Sequence, residues 1–145
     1  MGNVYSNTDI RGHADDAATK EHIWNAGKAL AEWLPEEGMV VVVATDAADA
    51  NYIHTFTEGV LLQGRNVIDA GTGDQQTVVS LIGDMNAAGG ALIDHDQMQN
   101  LAIVTLYDDR GVTVTEDTGL FEIGALIDGG NFVPAAEKGE IQKPS

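Results

Sequence analysis

The chain has no cysteine and few positively charged residues among its 145 positions. Without cysteine, neither disulfides nor thiolate chemistry is available, which favours a cytoplasmic protein. The chain has seven Lys and Arg residues and 23 Asp and Glu residues, which gives a net charge of −16. Nucleic acid requires a basic surface and anionic membranes repel an acidic one, so we expect neither partner.

Long hydrophobic runs are also missing. The longest apolar run, Met39–Ala44, is far shorter than the ~20 residues that cross a bilayer. The N-terminal stretch lacks the apolar segment of a secretory signal. The acidity is typical of a salt-adapted cell interior and equally compatible with an ordinary acidic protein. A chain of this size predicts one domain spanning residues 1–145.

Apolar periodicity along the chain alternates between the helical period and continuous β-branched runs. The predicted helices are Asp15–Leu34, Ala50–Gln63, Gln75–Met85 and Glu116–Leu126. The predicted strands are Met39–Val43, Asn66–Asp69, Gly90–Ile93 and Leu101–Tyr107. This order predicts an α/β protein, a three-layer α/β/α sandwich around a mixed four-stranded sheet. The loop before the fourth strand is too short for a parallel crossover, so we expect that strand to run antiparallel at an edge.

Three polar residues, Asp94, His95 and Asp96, follow the third predicted strand. Open α/β sheets place their chemistry at this end of their strands. Asp94 and Asp96 would share one face if the strand continued, and could then bind a divalent cation. His95 has the pKa range of a general base. A solvated acidic loop is the alternative.

The segment Val67–Asp74 combines a predicted strand, two glycines and the start of a helix. It resembles the cofactor loop of S-adenosylmethionine-dependent methyltransferases, with Asp94 as the acid that holds a ribose. A methyltransferase-like domain is therefore a minor alternative. Only one strand and one helix follow Asp94, however, which leaves too little sheet to complete that fold.

A second set of short motifs follows in order along about 130 residues of the chain. They are Thr8–Gly12, Val43–Asp46, Gly59–Gly64, Val67–Gly71, Gly89–Gly90, Thr105–Tyr107, Glu116–Ile123 and Gly130–Ala135. This order resembles the first domain of the α-D-phosphohexomutases, which include phosphomannomutase and phosphoglucomutase. The resemblance implies an α/β/α domain in which Val67–Gly71 is only a strand and its exit loop.

The resemblance also implies a loop after Gly89–Gly90 whose serine carries a transferable phosphoryl group. In an alignment without gaps, Asp96 stands at the serine position. A shift of one residue places Asp94 and His95 on the family's Ser-His pair instead. Neither alignment supplies a hydroxyl. Phosphoserine is a stable ester, whereas an aspartyl phosphate is an anhydride that water hydrolyses, so Asp96 could not store and return the group as serine does.

Other matching positions carry different side chains from those the resemblance implies. Thr8 stands where the family has a tyrosine, and Thr45 and Thr105 stand where it has basic residues. Arg11 keeps its charge and is the candidate phosphate-binding residue. Its alternative role is a structural pairing with Asp9 or Asp94. The family's magnesium, sugar and distal phosphate sites belong to later domains, so Mg²⁺ is a cofactor only by resemblance.

These observations predict a stand-alone binding or assembly domain linked to sugar-phosphate metabolism, without catalysis of its own. The expected partners are a second copy of the chain or other mutase-type domains, with a sugar phosphate as the possible ligand. The alternative is one domain of a phosphomannomutase or phosphoglucomutase that other subunits complete.

Overall fold

The computed structural model describes residues 10–34, 37–46, 50–129 and 132–143. Its strands are β1 Ile10–His13, β2 Val40–Ala44, β3 Val67–Thr72, β4 Gly89–Asp96, β5 Leu101–Tyr107 and β6 Ile141–Gln142. Its helices are α1 Ala17–Trp33, α2 Ala50–Leu62, α3 Gln75–Met85 and α4 Phe121–Gly129. Within the described ranges, the helices fall short of the length and hydrophobicity of a membrane span.

Helix α1 is closed at both ends by side chains. The Asp16 carboxylate accepts a hydrogen bond from Ala18 N at 2.9 Å and caps the first turn. At the other end, Arg65 donates to the carbonyl oxygens of Ala31 at 2.7 Å and Leu34 at 2.9 Å. These carbonyls have no partner within the helix, so Arg65 satisfies them. The predicted helix is thus confirmed.

Helices α1 and α2 pack with their backbones in contact. A Cβ atom on Gly27 would lie 2.3 Å from the carbonyl oxygen of Phe56. A Cβ atom on Gly59 would lie 2.2 Å from the carbonyl oxygen of Trp24. Real Cβ atoms do not approach backbone oxygen this closely, so the crossing of the two helices requires glycine at both positions.

The strands form one mixed sheet in the order β1-β5-β4-β2-β3-β6. Strands β2, β3 and β4 are parallel and β5 runs antiparallel to β4, as predicted. The count of four strands was wrong, because β1 and β6 add one strand at each edge. The expected edge position of β5 was also wrong, since β1 pairs with its free side, and the last strand, β6, is parallel to β3. Both added strands are too short, at four and two residues, to produce a readable hydrophobic pattern.

The sheet carries α1, α2 and α4 on one face and α3 on the other, which confirms the three-layer α/β/α architecture. Strand β2 is buried on both sides: Val40 and Val42 join the core under α1 and α2, while Val41 and Val43 join the core under α3. The predicted final helix begins later than expected, at Phe121. Gly119 takes a φ of 138° in the irregular turn Glu116–Leu120, which interrupts the helical pattern there.

Candidate functional site at the carboxyl edge of the sheet

The carboxyl ends of β2, β3 and β4 meet at one edge of the sheet because these strands are parallel. Strand β1 ends at the same edge, since it is antiparallel to β5, which is antiparallel to β4. The register places Arg11 opposite Ile103 and Ile103 opposite Asp94, so the three share one row and one face. We call this region, which carries the predicted site residues, the carboxyl edge.

Strand β4 extends further than predicted. Asp94, His95 and Asp96 are its last three residues rather than a loop, because β5 pairs with each of them. Leu92 belongs to the core under α3, so alternation puts Asp94 and Asp96 on the α3 face and His95 on the opposite face. The two carboxylates therefore do lie on the same face of the sheet, and all three side chains are half-buried.

Asp94 ties the end of β4 to the end of β2. Its Oδ1 accepts a hydrogen bond from Thr45 Oγ1 at 2.5 Å and another from the backbone N–H of His95 at 2.8 Å. Thr45 stands out in the sequence only as a departure from the family pattern. Its role as the partner of Asp94 depends on the alignment of two strands 49 residues apart and has no local signal.

Asp96 closes the hairpin between β4 and β5. Its Oδ1 accepts hydrogen bonds from the backbone N–H groups of Met98 at 3.0 Å and Gln99 at 3.3 Å. An aspartate that bonds to the backbone two and three residues ahead is a common turn-former. The side chain of Met98, at the tip of this turn, is 97% exposed. The Asp96 carboxylate therefore organises its own solvent-facing turn.

His95 belongs to a hydrogen-bonded chain on the other face of the sheet. Its Nε2 lies 2.8 Å from Asn100 Oδ1, and Asn100 Nδ2 donates to Asp15 Oδ2 at 2.9 Å. Because the amide nitrogen of Asn100 is already a donor, its oxygen accepts, which places a proton on His95 Nε2. This chain links the hairpin to the segment before α1, and sequence reasoning did not identify Asn100 as a member.

Arg11 lies two strands from Asp94 in the shared row, about 10 Å away at the usual spacing of strands. Its side chain is half-buried. The predicted pairing with Asp9 falls outside the described residues. The sheet thus brings Arg11 to the same face as Asp94 and Asp96, whereas His95 lies on the opposite face.

A cavity of about 290 Å³ opens beside this edge, between the ends of β2 and β3 and the start of α2. Its lining combines an apolar floor with carboxylates and hydroxyls: Val42, Ala44, Thr45, Asp46, Ile53, Asp69, Gly71 and Thr72. Lys143 Nζ donates to Asp69 Oδ2 at 2.9 Å. This bond is the main reason that the pKa of Asp69 falls below its usual value, even though partial burial acts to raise it.

The donors at this edge do not form a magnesium site. The described residues contain no group of three or more Asp, Glu, His or Cys side chains that could hold a metal ion. Asp94 and Asp96 already accept hydrogen bonds from Thr45 and from their own backbone. Two such carboxylates fall short of the oxygen cage that Mg²⁺ prefers, so we derive no step through a metal here.

The glycine segment does not form a cofactor loop. Gly71 and Thr72 still belong to β3. Asp74 caps α3, because its carboxylate accepts a hydrogen bond from Thr77 N at 3.1 Å and its backbone N–H donates to Thr77 Oγ1 at 3.2 Å. The N-terminus of α3 therefore already faces a carboxylate, which disfavours an anionic cofactor at that position.

Comparison with known proteins agrees with this architecture. A family model described as "Phosphoglucomutase/phosphomannomutase, alpha/beta/alpha domain I" matches residues 3–132. The match covers most of the chain, so the chain belongs to this family, and the predicted resemblance is confirmed. No curated protein matches the sequence.

Two solved structures share the fold. A phosphoglucomutase/phosphomannomutase family protein from Burkholderia thailandensis is 16% identical, with a TM-score of 0.71. A protein from Thermus thermophilus proposed to be a phosphomannomutase is 20% identical, with a TM-score of 0.77. Each alignment covers 97% of this chain and 32% of the other chain, so this chain spans about a third of their length.

Proposed function

We propose that this chain is a binding or assembly domain linked to sugar-phosphate metabolism, and that it does not transfer phosphoryl groups by itself. One observation carries the proposal: β4 ends in Asp94, His95 and Asp96, where the family resemblance implies a serine. None of these three residues has a hydroxyl group that could store a phosphoryl group as an ester.

The setting of Asp96 adds to this argument. Its Oδ1 is held by two backbone N–H groups of a turn whose tip is exposed to solvent. A phosphoryl group on Asp96 would compete with those hydrogen bonds and would form an anhydride beside bulk water. Hydrolysis would then outrun transfer to a sugar, because the described residues provide no cover over this turn.

Arg11 supports a role in binding the phosphate of a sugar phosphate. It lies on the α3 face in the row of Asp94, and phosphate recognition favours arginine. Calorimetric titration with a hexose phosphate tests this part of the proposal. Binding that Arg11→Ala abolishes and Arg110→Ala preserves would support it, since Arg110 lies in the turn after β5 and its side chain is largely exposed. Equal binding by all three proteins would reject it.

The α3 face of the sheet supports the assembly role. Helix α3 packs on β2 and β4, and on the neighbouring β5 the side chains of Leu101 and Ile103 are half-buried within the described part of the chain. A second copy or another mutase-type domain could cover them. Light scattering over a wide range of concentrations, in molar salt to screen the net charge, tests this. A strict monomer throughout would reject self-assembly.

The second candidate is one domain of a phosphomannomutase or phosphoglucomutase that other subunits complete. It is favoured by the match to domain I of the family. A coupled mutase assay with the candidate partner chain decides between the two functions. Turnover that requires Asp96 would establish the second candidate, and its absence in an otherwise assembled complex would remove it.

A further inference from the structure

The C-terminal segment Phe132–Lys143, which we call the strap, returns along α2 to the edge of β3. Backbone hydrogen bonds fix it at two points on the end of α2: Ala135 N donates to Leu62 O at 2.9 Å and Gly139 N to Leu61 O at 2.8 Å. Its last residues form β6, the two-residue parallel partner of β3. Except at Phe132, the strap lies beyond the segment that the family model matches.

Two lysines form ion pairs between the strap and the rest of the domain. Lys138 Nζ lies 2.5 Å from Glu58 Oε1, and Lys143 Nζ lies 2.9 Å from Asp69 Oδ2. The ammonium group of Lys28 on α1 lies 5.6 Å from the centre of the Phe132 ring. Two of the four lysines in a chain of net charge −16 therefore form ion pairs from this one segment, while Lys28 lies closer to the ring of Trp24, at 3.4 Å, than to that of Phe132.

Phe132, at the start of the strap, packs against the core under α1 and α2, but the rest of the strap buries little apolar surface. Val133 is 80% exposed and Ile141 is 51% exposed. Exposed ion pairs contribute little to stability, and salt weakens them further. Segments held mainly by exposed polar contacts detach far more often than the whole domain unfolds.

Detachment of the strap would uncover a sheet edge. Val67 N donates to Glu140 O at 3.0 Å, and Asn66 Oδ1 accepts from Glu140 N at 2.8 Å. Without the strap, Val67 N and Asn66 Oδ1 would lose their hydrogen bonds to Glu140, and β3 would lose its pairing with β6. An open strand edge readily pairs with another extended segment. The strap of a second copy is the segment that would restore each of these contacts.

We propose that two copies of this chain exchange straps, each strap occupying the site on the other copy that its own chain's strap fills in the monomer. The proposal rests on the assembly role proposed above. Exchange conserves every strap contact. The fraction of exchanged dimer therefore depends on protein concentration and on how well salt screens the repulsion between the two acidic copies. In the exchanged dimer, Lys143 of the second copy bonds to Asp69 at the rim of the carboxyl-edge cavity.

The absence of cysteine makes a crosslinking test clean. We would prepare Glu58→Cys and Lys138→Cys as separate proteins, mix them in molar salt, and treat the mixture with a short thiol-specific bifunctional reagent. Exchange predicts a covalent heterodimer whose yield rises with concentration and incubation time. A mixture of Glu58→Cys with Arg110→Cys is the matched control, because Arg110 lies in the turn after β5, away from the strap.

Two further proteins keep the result interpretable. The double variant with cysteine at both 58 and 138 in one chain should crosslink internally, which verifies that the reagent spans the pair. Gly139→Ala should reduce the heterodimer to the control level, because a Cβ at this position would lie 1.9 Å from the carbonyl oxygen of Arg65 and prevent the strap from seating. Circular dichroism would verify that this variant keeps the folded domain.

The outcomes separate the exchange from the assembly role. Heterodimer in excess of the control, lost in Gly139→Ala, supports strap exchange. Dimers in light scattering without crosslinking above the control would overturn the exchange and leave assembly through another surface. A strict monomer in both measurements would overturn both.

Discussion

The contact between α1 and α2 and the carboxyl edge of the sheet are built on opposite principles. The helix pair meets backbone to backbone at Gly27 and Gly59, with no space for a single methyl group. The carboxyl edge is instead polar and half-exposed, and its carboxylates are held by Thr45 and by backbone N–H groups of their own hairpin. The domain therefore combines a helix contact that tolerates no added atom with a strand edge whose polar groups are partly open to solvent.

The first prediction tests the tight side of the comparison and has the largest expected effect. Gly59→Ala places a Cβ against the carbonyl oxygen of Trp24, which forces the two helices apart. We expect a loss of about 3 kcal/mol in the free energy of unfolding, measured by denaturant titration. Gly83→Ala is the matched control, because Gly83 is an exposed helical glycine with no atom within 4 Å of its added Cβ. It should stabilise the protein by up to about 1 kcal/mol, and equal effects of the two substitutions would contradict the close approach.

The second prediction concerns the end of α1. Arg65→Met removes the donors to the carbonyl oxygens of Ala31, Leu34 and Gly38. We expect a loss of about 2 kcal/mol because these acceptors lose a charged partner. Amide hydrogen exchange should accelerate in the last turn of α1. Arg65→Lys, which keeps the charge with fewer donors, should fall between the two proteins. Unchanged exchange in Arg65→Met would show that the cap is unimportant.

The third prediction concerns the polar side of the comparison. Thr45→Val removes the hydroxyl that donates to Asp94 at 2.5 Å. We expect a loss of about 1 kcal/mol, since the carboxylate is only half-buried and water can replace part of the bond. Thr105→Val is the control at a half-buried position of β5, opposite Leu92. A loss at position 45 no larger than at position 105 would mean that the bond does not hold the edge together.

The fourth prediction has the smallest effect and concerns pH. The bond from Lys143 lowers the pKa of Asp69 in the folded protein below its ordinary value of 3.8. A lowered folded pKa contributes stability above the unfolded pKa, and this contribution disappears as the pH falls from 3.8 through the folded value. Solvent screening limits it to less than about 1 kcal/mol. Lys143→Met should therefore lose less stability than the native chain between neutral pH and pH about 3. If the stability of both proteins fell equally with acid, the ion pair would not contribute to stability.

Sequence reasoning predicted the layers of the fold because their signals are local. The valine run of β2 and the apolar faces of α1 and α2 require no knowledge of neighbours. The edge strands β1 and β6 were not predicted, because their pairing depends on β5 and β3, which are far away in the chain. At the site, the sequence identified Asp94, His95 and Asp96 but not their partners Thr45 and Asn100. Those bonds arise from the registration of β2 with β4 and from the shape of the hairpin.

We propose that the carboxyl edge cannot store a phosphoryl group. The direct test is intact-protein mass spectrometry after incubation with a hexose bisphosphate and Mg²⁺, followed by a chase with hexose monophosphate. We expect that no durable phosphoryl adduct forms, in the native chain as in Asp96→Asn. A stable adduct on the native chain that Asp96→Asn lacks, and that passes to the sugar during the chase, would contradict it.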